Sequence, residues 1–68
     1  MNKFITLTKA CNKVRIDINP MLISEMLDMG INGNAGTEVG MMSGTKIDVV
    51  QTIDEIHQLI KKSQYITL

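Results

Sequence analysis

Apolar and polar residues alternate along the first part of the chain, a pattern typical of β-strands. Two runs show it, residues 3–8 (KFITLT) and residues 13–18 (KVRIDI), with a short polar break at residues 9–12. Every second residue of these runs is apolar and is expected to face the core: Ile5, Leu7, Val14, Ile16 and Ile18. We therefore predict two strands that pair as a hairpin, with Lys13 and Arg15 directed to water.

Residues 19–29 are compatible with two structures. Asn19 as N-cap, Pro20 at the first helical position and Gly30 beyond the end predict a helix, and the Leu, Glu and Met residues between them favour it. In the alternative structure, one helical turn is followed by a short strand over residues 23–29. Residues 30–36 (GINGNAG) are rich in Gly and Asn and predict a loop.

The next two runs, residues 37–42 and 45–51, flank Ser43 and Gly44. A Ser-Gly pair between such runs predicts a second hairpin with a two-residue turn. Gly40, in the middle of the first run, indicates either a β-bulge or the close approach of another backbone.

The last predicted element is a helix over residues 53–63. Thr52 and Glu55 have the spacing of a capping box, and apolar residues recur with helical spacing at Ile53, Ile56, Leu59 and Ile60. The apolar tail, residues 65–68 (YITL), could add a strand, dock on a neighbour or fray. These elements predict an α+β fold in a single domain: one antiparallel sheet of four to five strands, built from two hairpins and packed by the C-terminal helix.

Composition adds limits on size and setting. The chain has 68 residues, of which 44% are hydrophobic, so a single small core of marginal stability is expected and oligomerisation would enlarge it. One Cys excludes an internal disulfide, and the sequence has no Cys/His cluster for structural zinc. No apolar run approaches the length of a membrane span and the N-terminus does not resemble a secretory signal, so a cytoplasmic protein is expected.

The charge balance bears on the choice of partner. Seven basic and seven acidic residues give a formal net charge of zero, whereas nucleic-acid-binding proteins usually show a basic excess. Nucleic-acid binding is therefore the alternative hypothesis, and it requires five cations to converge on one face: Lys13, Arg15, Lys46, Lys61 and Lys62.

The sequence contains no convincing catalytic, cofactor-binding or metal-binding set. Cys11 and His57 are the only thiol and imidazole, and neither stands at a motif spacing from a partner. Neither glycine-rich segment fits a phosphate-binding loop. The acidic residues fit no metal-binding pattern: Asp17, Asp28, Asp48, Asp54 and Glu55.

Four segments together carry a family resemblance: FITLT, KVRIDINPMLI, GTEVGMMSGTKIDVVQT and IDEIHQLIKK. Their order, over residues 3–62, resembles the short FlbD/SwrD-like proteins of flagellar and swarming motility, and related short proteins of phages and prophages. The resemblance implies a small, soluble, non-enzymatic accessory protein without catalytic residues. It also favours a strand after the Asn-Pro turn. The chain departs from the pattern in its longer GINGNAG loop and its YITL tail.

The methionines suggest how such a protein would act. Met side chains adapt to irregular surfaces, and the adjacent Met41 and Met42 must face opposite sides of a strand. We therefore predict a protein-binding module that acts in a homo-oligomer through an apolar surface or an exposed strand edge. The candidate interface residues are Met26, Met29, Met41, Met42, Tyr65 and Ile66.

Overall fold

The computed structural model describes residues 4–30 and 36–63. Its elements, in chain order, are β1 (Ile5–Thr8), β2 (Arg15–Ile18), a 3-10 turn (Pro20–Leu22), β3 (Ile23–Asp28), β4 (Thr37–Met41), β5 (Lys46–Val49) and α1 (Ile53–Ser63). The predictions for the loop at residues 31–35 and for the tail at residues 65–68 lie outside the described residues.

The α+β class is confirmed, but the prediction of one sheet is wrong. β1 and β2 form a two-stranded antiparallel sheet, and β3, β4 and β5 form a three-stranded one in that order. The two sheets meet at one isolated bridge between Lys9 and Val49. Side chains from both sheets and from the helix form one buried cluster: Ile5, Leu7, Ile18, Val39, Val49 and Ile56.

The first hairpin is confirmed, with Ile5 paired with Ile18 at one end and Thr8 with Arg15 at the other. The prediction that Val14 faces the core is wrong, because its side chain is half exposed. Val14 lies outside β2, next to Lys13, whose φ of 62° is in the left-handed region typical of turns. Lys13 and Val14 therefore belong to the turn.

Residues 19–29 form the turn and strand, so the helix that propensity favoured is wrong. The side chain of Asn19 accepts a hydrogen bond from the backbone N–H of Met21 at 3.0 Å and caps a single 3-10 turn. The backbone becomes extended at Ile23, and β3 then pairs with β4. Tertiary pairing overrides the local helix preference here, because Ile23 and Met26 pack against the core from this strand.

The second hairpin is confirmed, but its loop is longer by one residue than predicted. Gly44 donates its N–H to the Met41 carbonyl at 2.9 Å, and Met41 donates its own to the Thr45 carbonyl at 2.8 Å. With Gly44 at a φ of 93°, residues 42–44 form a three-residue turn that ends in a glycine bulge.

Of the two structures predicted for the middle of β4, the irregular register of a bulge occurs opposite Gly40, and the close contact there is with a side chain and not with another backbone. The register of β3 shifts opposite this residue, between Ile23 and Glu25. A Cβ added at Gly40 would lie 3.0 Å from Glu25 Cγ, and the Ser24 hydroxyl donates a hydrogen bond to the Gly40 carbonyl at 3.0 Å. The glycine therefore makes room for the bulged partner strand.

The C-terminal helix and its capping box are confirmed. Thr52 donates its N–H to Glu55 Oε1 at 2.8 Å, and Glu55 donates its own to Thr52 Oγ1 at 3.1 Å. Ile56 is fully buried, and Leu59 and Ile60 pack against the same cluster. Complete burial of one such side chain stabilises the fold by about 1.5–3 kcal/mol.

Candidate interaction surfaces

One end of the molecule carries four exposed apolar side chains, which we call the apolar end: Phe4, Met21, Leu22 and Met42. Their exposed fractions lie between 49% and 71%. The backbone N–H of Met42, in the β4–β5 turn, donates to the carbonyl of Leu22, in the 3-10 turn, at 2.8 Å. Phe4 precedes the Ile5–Ile18 pair, at the end of the first hairpin where the 3-10 turn begins.

The chain segments that build the apolar end contain no charged residue: residues 4–8, 18–24 and 39–45. Four side chains exposed to this degree present on the order of 400 Å² of apolar surface, a size at which a patch on a small protein often serves recognition. The four side chains themselves carry no charge, so burying them removes no ion from water, while the charged residues Glu25 and Lys46 border them. This end is thus suited to contact with another apolar surface.

The methionines that we proposed as interface residues from the sequence differ in how exposed they are in the structure. Met42 is exposed, whereas Met26 and Met41 are partly buried and pack against the core. Met29 is also partly buried, and its N–H donates to the Gly36 carbonyl at 3.1 Å. Tyr65 and Ile66 lie outside the described residues. The expectation that one of Met41 and Met42 lies outside the core is met by Met42.

Sequence reasoning did not include Phe4, Met21 and Leu22 in the interface. The alternation of residues 3–8 does separate Phe4 from the buried Ile5 and Leu7, so this signal was present. No sequence pattern indicates that Leu22 is exposed, because its exposure follows from the 3-10 turn that ends at this residue. A helix over the same residues would have placed the leucine differently.

The outer face of the three-stranded sheet carries a row of side chains that we call the acidic row: Leu27, Glu38 and Asp48. Glu38 pairs with Leu27 on one side and with Asp48 on the other. Its neighbours Thr37 and Val39 are buried, so Glu38 points to the opposite, outer face. Two carboxylates therefore stand directly opposite each other on adjacent strands, an arrangement that destabilises a sheet.

We expect Glu38→Gln to raise the free energy of unfolding by a few tenths of a kcal/mol, since like charges directly opposite repel on this scale. Urea denaturation followed by circular dichroism would measure it. Glu25→Gln is the matched control, because Glu25 pairs with Gly40 and not with a carboxylate. A loss of stability in Glu38→Gln, or an equal gain in both variants, would contradict the repulsion.

Three consecutive residues, from the end of the first turn to the start of β2, form what we call the cationic tip: Lys13, Val14 and Arg15. All three are exposed. The other cations of the nucleic-acid hypothesis stand elsewhere in the fold: Lys46 opens β5, and Lys61 and Lys62 occupy the last turn of α1. Lys46 pairs with Gly40 beside the β4–β5 turn, whereas the cationic tip adjoins the opposite end of β5, where Lys9 bridges to Val49.

Cys11 and His57 are both exposed, Cys11 in the first turn and His57 on α1. Within the described residues, no three side chains of His, Cys, Asp or Glu are grouped so that they could hold a metal ion. In the same part of the chain, no helix has the length and apolar character needed to cross a membrane.

Comparison with protein-family models, curated proteins and solved structures found no match to this chain. The resemblance to FlbD/SwrD-like proteins therefore stays a prediction from the sequence.

Proposed function

We propose that this chain is a small non-enzymatic accessory protein that binds other protein chains through its apolar end and assembles as a homo-oligomer. The observation that carries the proposal is the concentration of exposed, uncharged apolar side chains at one end. Burying each would contribute about 25 cal/mol per Å² of apolar surface removed from water.

Three features support self-association in particular. A net charge of zero produces no long-range repulsion between copies. A domain of this size also buries a smaller fraction of its surface than a larger domain does, so a second copy adds to a limited core. Finally, Met21 and Met42 have flexible side chains that can repack against their own copies across a twofold axis.

The cellular setting follows from the resemblance and not from the fold. A FlbD/SwrD-like chain would be an accessory protein in motility, and a related short protein would belong to a phage or prophage. Both settings fit a protein that acts by contact with other chains.

We expect the double substitution Met21→Ser and Met42→Ser to weaken self-association at least roughly tenfold, because each serine removes apolar surface from the contact. Sedimentation velocity over a range of protein concentrations would measure this. The solution would contain about 1 M salt, where ionic contacts are screened. Both side chains are exposed, so we expect the fold, monitored by circular dichroism, to be retained.

Val14→Ser is the matched control, since Val14 is also half exposed but adjoins the other end of the hairpin. We expect it to associate like the parent under these conditions. A parent chain that stays monomeric at high concentration, or equal weakening by Val14→Ser, would overturn the proposal. Salt-sensitive retention of the parent on DNA or RNA would instead favour the nucleic-acid alternative.

A further inference from the structure

The strand β2 pairs with β1 on one side only, and we call its other side the β2 edge. Thr8 lies opposite Arg15, yet its carbonyl accepts a hydrogen bond from the Val50 N–H at 2.9 Å, on the side away from β2. Opposite residues of an antiparallel pair exchange either both backbone hydrogen bonds or neither. The N–H and C=O groups of Arg15, and of Asp17 two residues on, therefore point outward at the β2 edge. Among the described residues these groups have no hydrogen-bond partner.

The β2 edge carries one cation and one anion on the same face of the sheet. Side chains alternate along a strand, and Ile16 packs against the core, so Arg15 and Asp17 on either side of it share the outer face. Both are exposed. One carboxylate oxygen of Asp17 accepts a hydrogen bond from Thr6 Oγ1 at 2.7 Å, which leaves the second oxygen for another donor.

We propose that the β2 edge pairs with the β2 edge of a second copy, antiparallel and about a twofold axis at Ile16. In this register Arg15 of each copy lies opposite Asp17 of the other, and each such pair exchanges both of its backbone hydrogen bonds. A guanidinium then lies beside a carboxylate on both sides of the axis, a favourable cross-strand pair. The contact goes beyond the proposed function, because it uses a strand edge and not the apolar end.

The order of charges is what suits the β2 edge to a second copy of itself. Charged side chains usually protect an edge strand from pairing, but here the two signs complement each other once a copy is turned by the twofold axis. The strand β3, at the end of the other sheet, differs in this respect. Its charged residues are Glu25 and Asp28, without a cation, so two copies of β3 would bring only carboxylates to a shared edge.

The test is sedimentation velocity of the full chain at about 0.01 M salt, in the Met21→Ser and Met42→Ser background, which weakens association through the apolar end. We expect this background to dimerise, and to associate roughly tenfold more weakly at about 1 M salt, where ion pairs are screened. Arg15→Glu and Asp17→Lys should each weaken the low-salt dimer at least roughly tenfold, because like charges then lie directly opposite each other. Circular dichroism would monitor the fold.

Charge exchange provides the rescue. An equimolar mixture of Arg15→Glu and Asp17→Lys should regain the dimer, because an edge with two carboxylates then meets an edge with two cations. The double variant Arg15→Asp and Asp17→Arg should also dimerise, since each copy stays self-complementary. If Asp17→Lys does not fold, Asp17→Asn keeps an acceptor for the Thr6 hydroxyl and should weaken the dimer severalfold. Lys61→Glu is the matched control for Arg15→Glu, being exposed on α1, and should dimerise like the background.

Amide hydrogen exchange distinguishes strand pairing from a contact between side chains alone. The N–H groups of Arg15 and Asp17 should exchange more slowly as the protein concentration rises, with no change along the outer edge of β3. A background chain that stays monomeric at low salt, an equal loss in Lys61→Glu, or exchange at Arg15 and Asp17 that is independent of concentration would each overturn the proposal. So would a mixture of folded variants that stays monomeric. Association through the apolar end is read from the parent at about 1 M salt, so its failure is seen separately.

Discussion

We expect Gly36→Ala to destabilise the fold by about 3 kcal/mol, because the substitution combines backbone strain with overpacking. Gly36 has a φ of 145°, which L-residues rarely adopt. A Cβ at this position would lie 2.7 Å from the Val49 carbonyl oxygen. Val49 belongs to β5 and pairs with Thr37, so the backbone that receives the clash is held in place. Urea denaturation followed by circular dichroism would measure the loss.

Gly44→Ala separates the two causes. Gly44 also has a positive φ, of 93°, but a Cβ there would meet nothing within 4 Å. We expect this variant to lose only about 1 kcal/mol, the cost of the left-handed backbone alone. Equal losses in the two alanine variants would show that the close approach to β5 contributes nothing.

The elements predicted well from the sequence are those fixed by neighbouring residues. The Thr52–Glu55 capping box depends on contacts within a few residues, and the burial of Ile5 and Leu7 follows a period of two, so both patterns can be recognised in the sequence. The β3 strand is different, since residues 23–28 contain good helix formers and become extended through pairing with β4. That pairing joins residues that are far apart in the sequence, and the helix propensity of single residues takes no account of it.

The candidate interaction surfaces show the same limit of prediction from local sequence. Met41 or Met42 was expected outside the core because adjacent methionines in a strand face opposite sides, but β4 ends at Met41, and the exposed Met42 lies in the turn that follows. The acidic row depends instead on register: Leu27, Glu38 and Asp48 come from three strands and align only through the pairing of β3, β4 and β5. Val14 was misassigned because it lies in the turn before β2 and is half exposed there, although the alternation of the sequence includes it.

Gln51 illustrates a stabilising contact that no local pattern reveals, since its side chain joins it to Thr8, 43 residues away. Its Oε1 accepts the Thr8 N–H at 2.9 Å, and its Nε2 donates to Thr8 Oγ1 at 3.1 Å. Its own carbonyl accepts a hydrogen bond from the hydroxyl of the buried Thr37 at 2.9 Å. Gln51 therefore ties β1 to β4 beside the only bridge between the two sheets that the structure describes.

We expect Gln51→Ala to destabilise the fold by about 2 kcal/mol, because it leaves the partly buried Thr8 N–H without its acceptor. Gln51→Glu keeps an acceptor for both Thr8 groups and should lose less, while Gln58→Ala, on the exposed side of α1, should stay within about 0.5 kcal/mol of the parent. Amide hydrogen exchange locates the effect: the N–H groups of Thr8, Ala10 and Val50 at the junction should exchange faster in Gln51→Ala than those within the β4–β5 pair. If exchange quickens equally in both places, Gln51 supports the whole fold and does not act as a local clamp between the sheets.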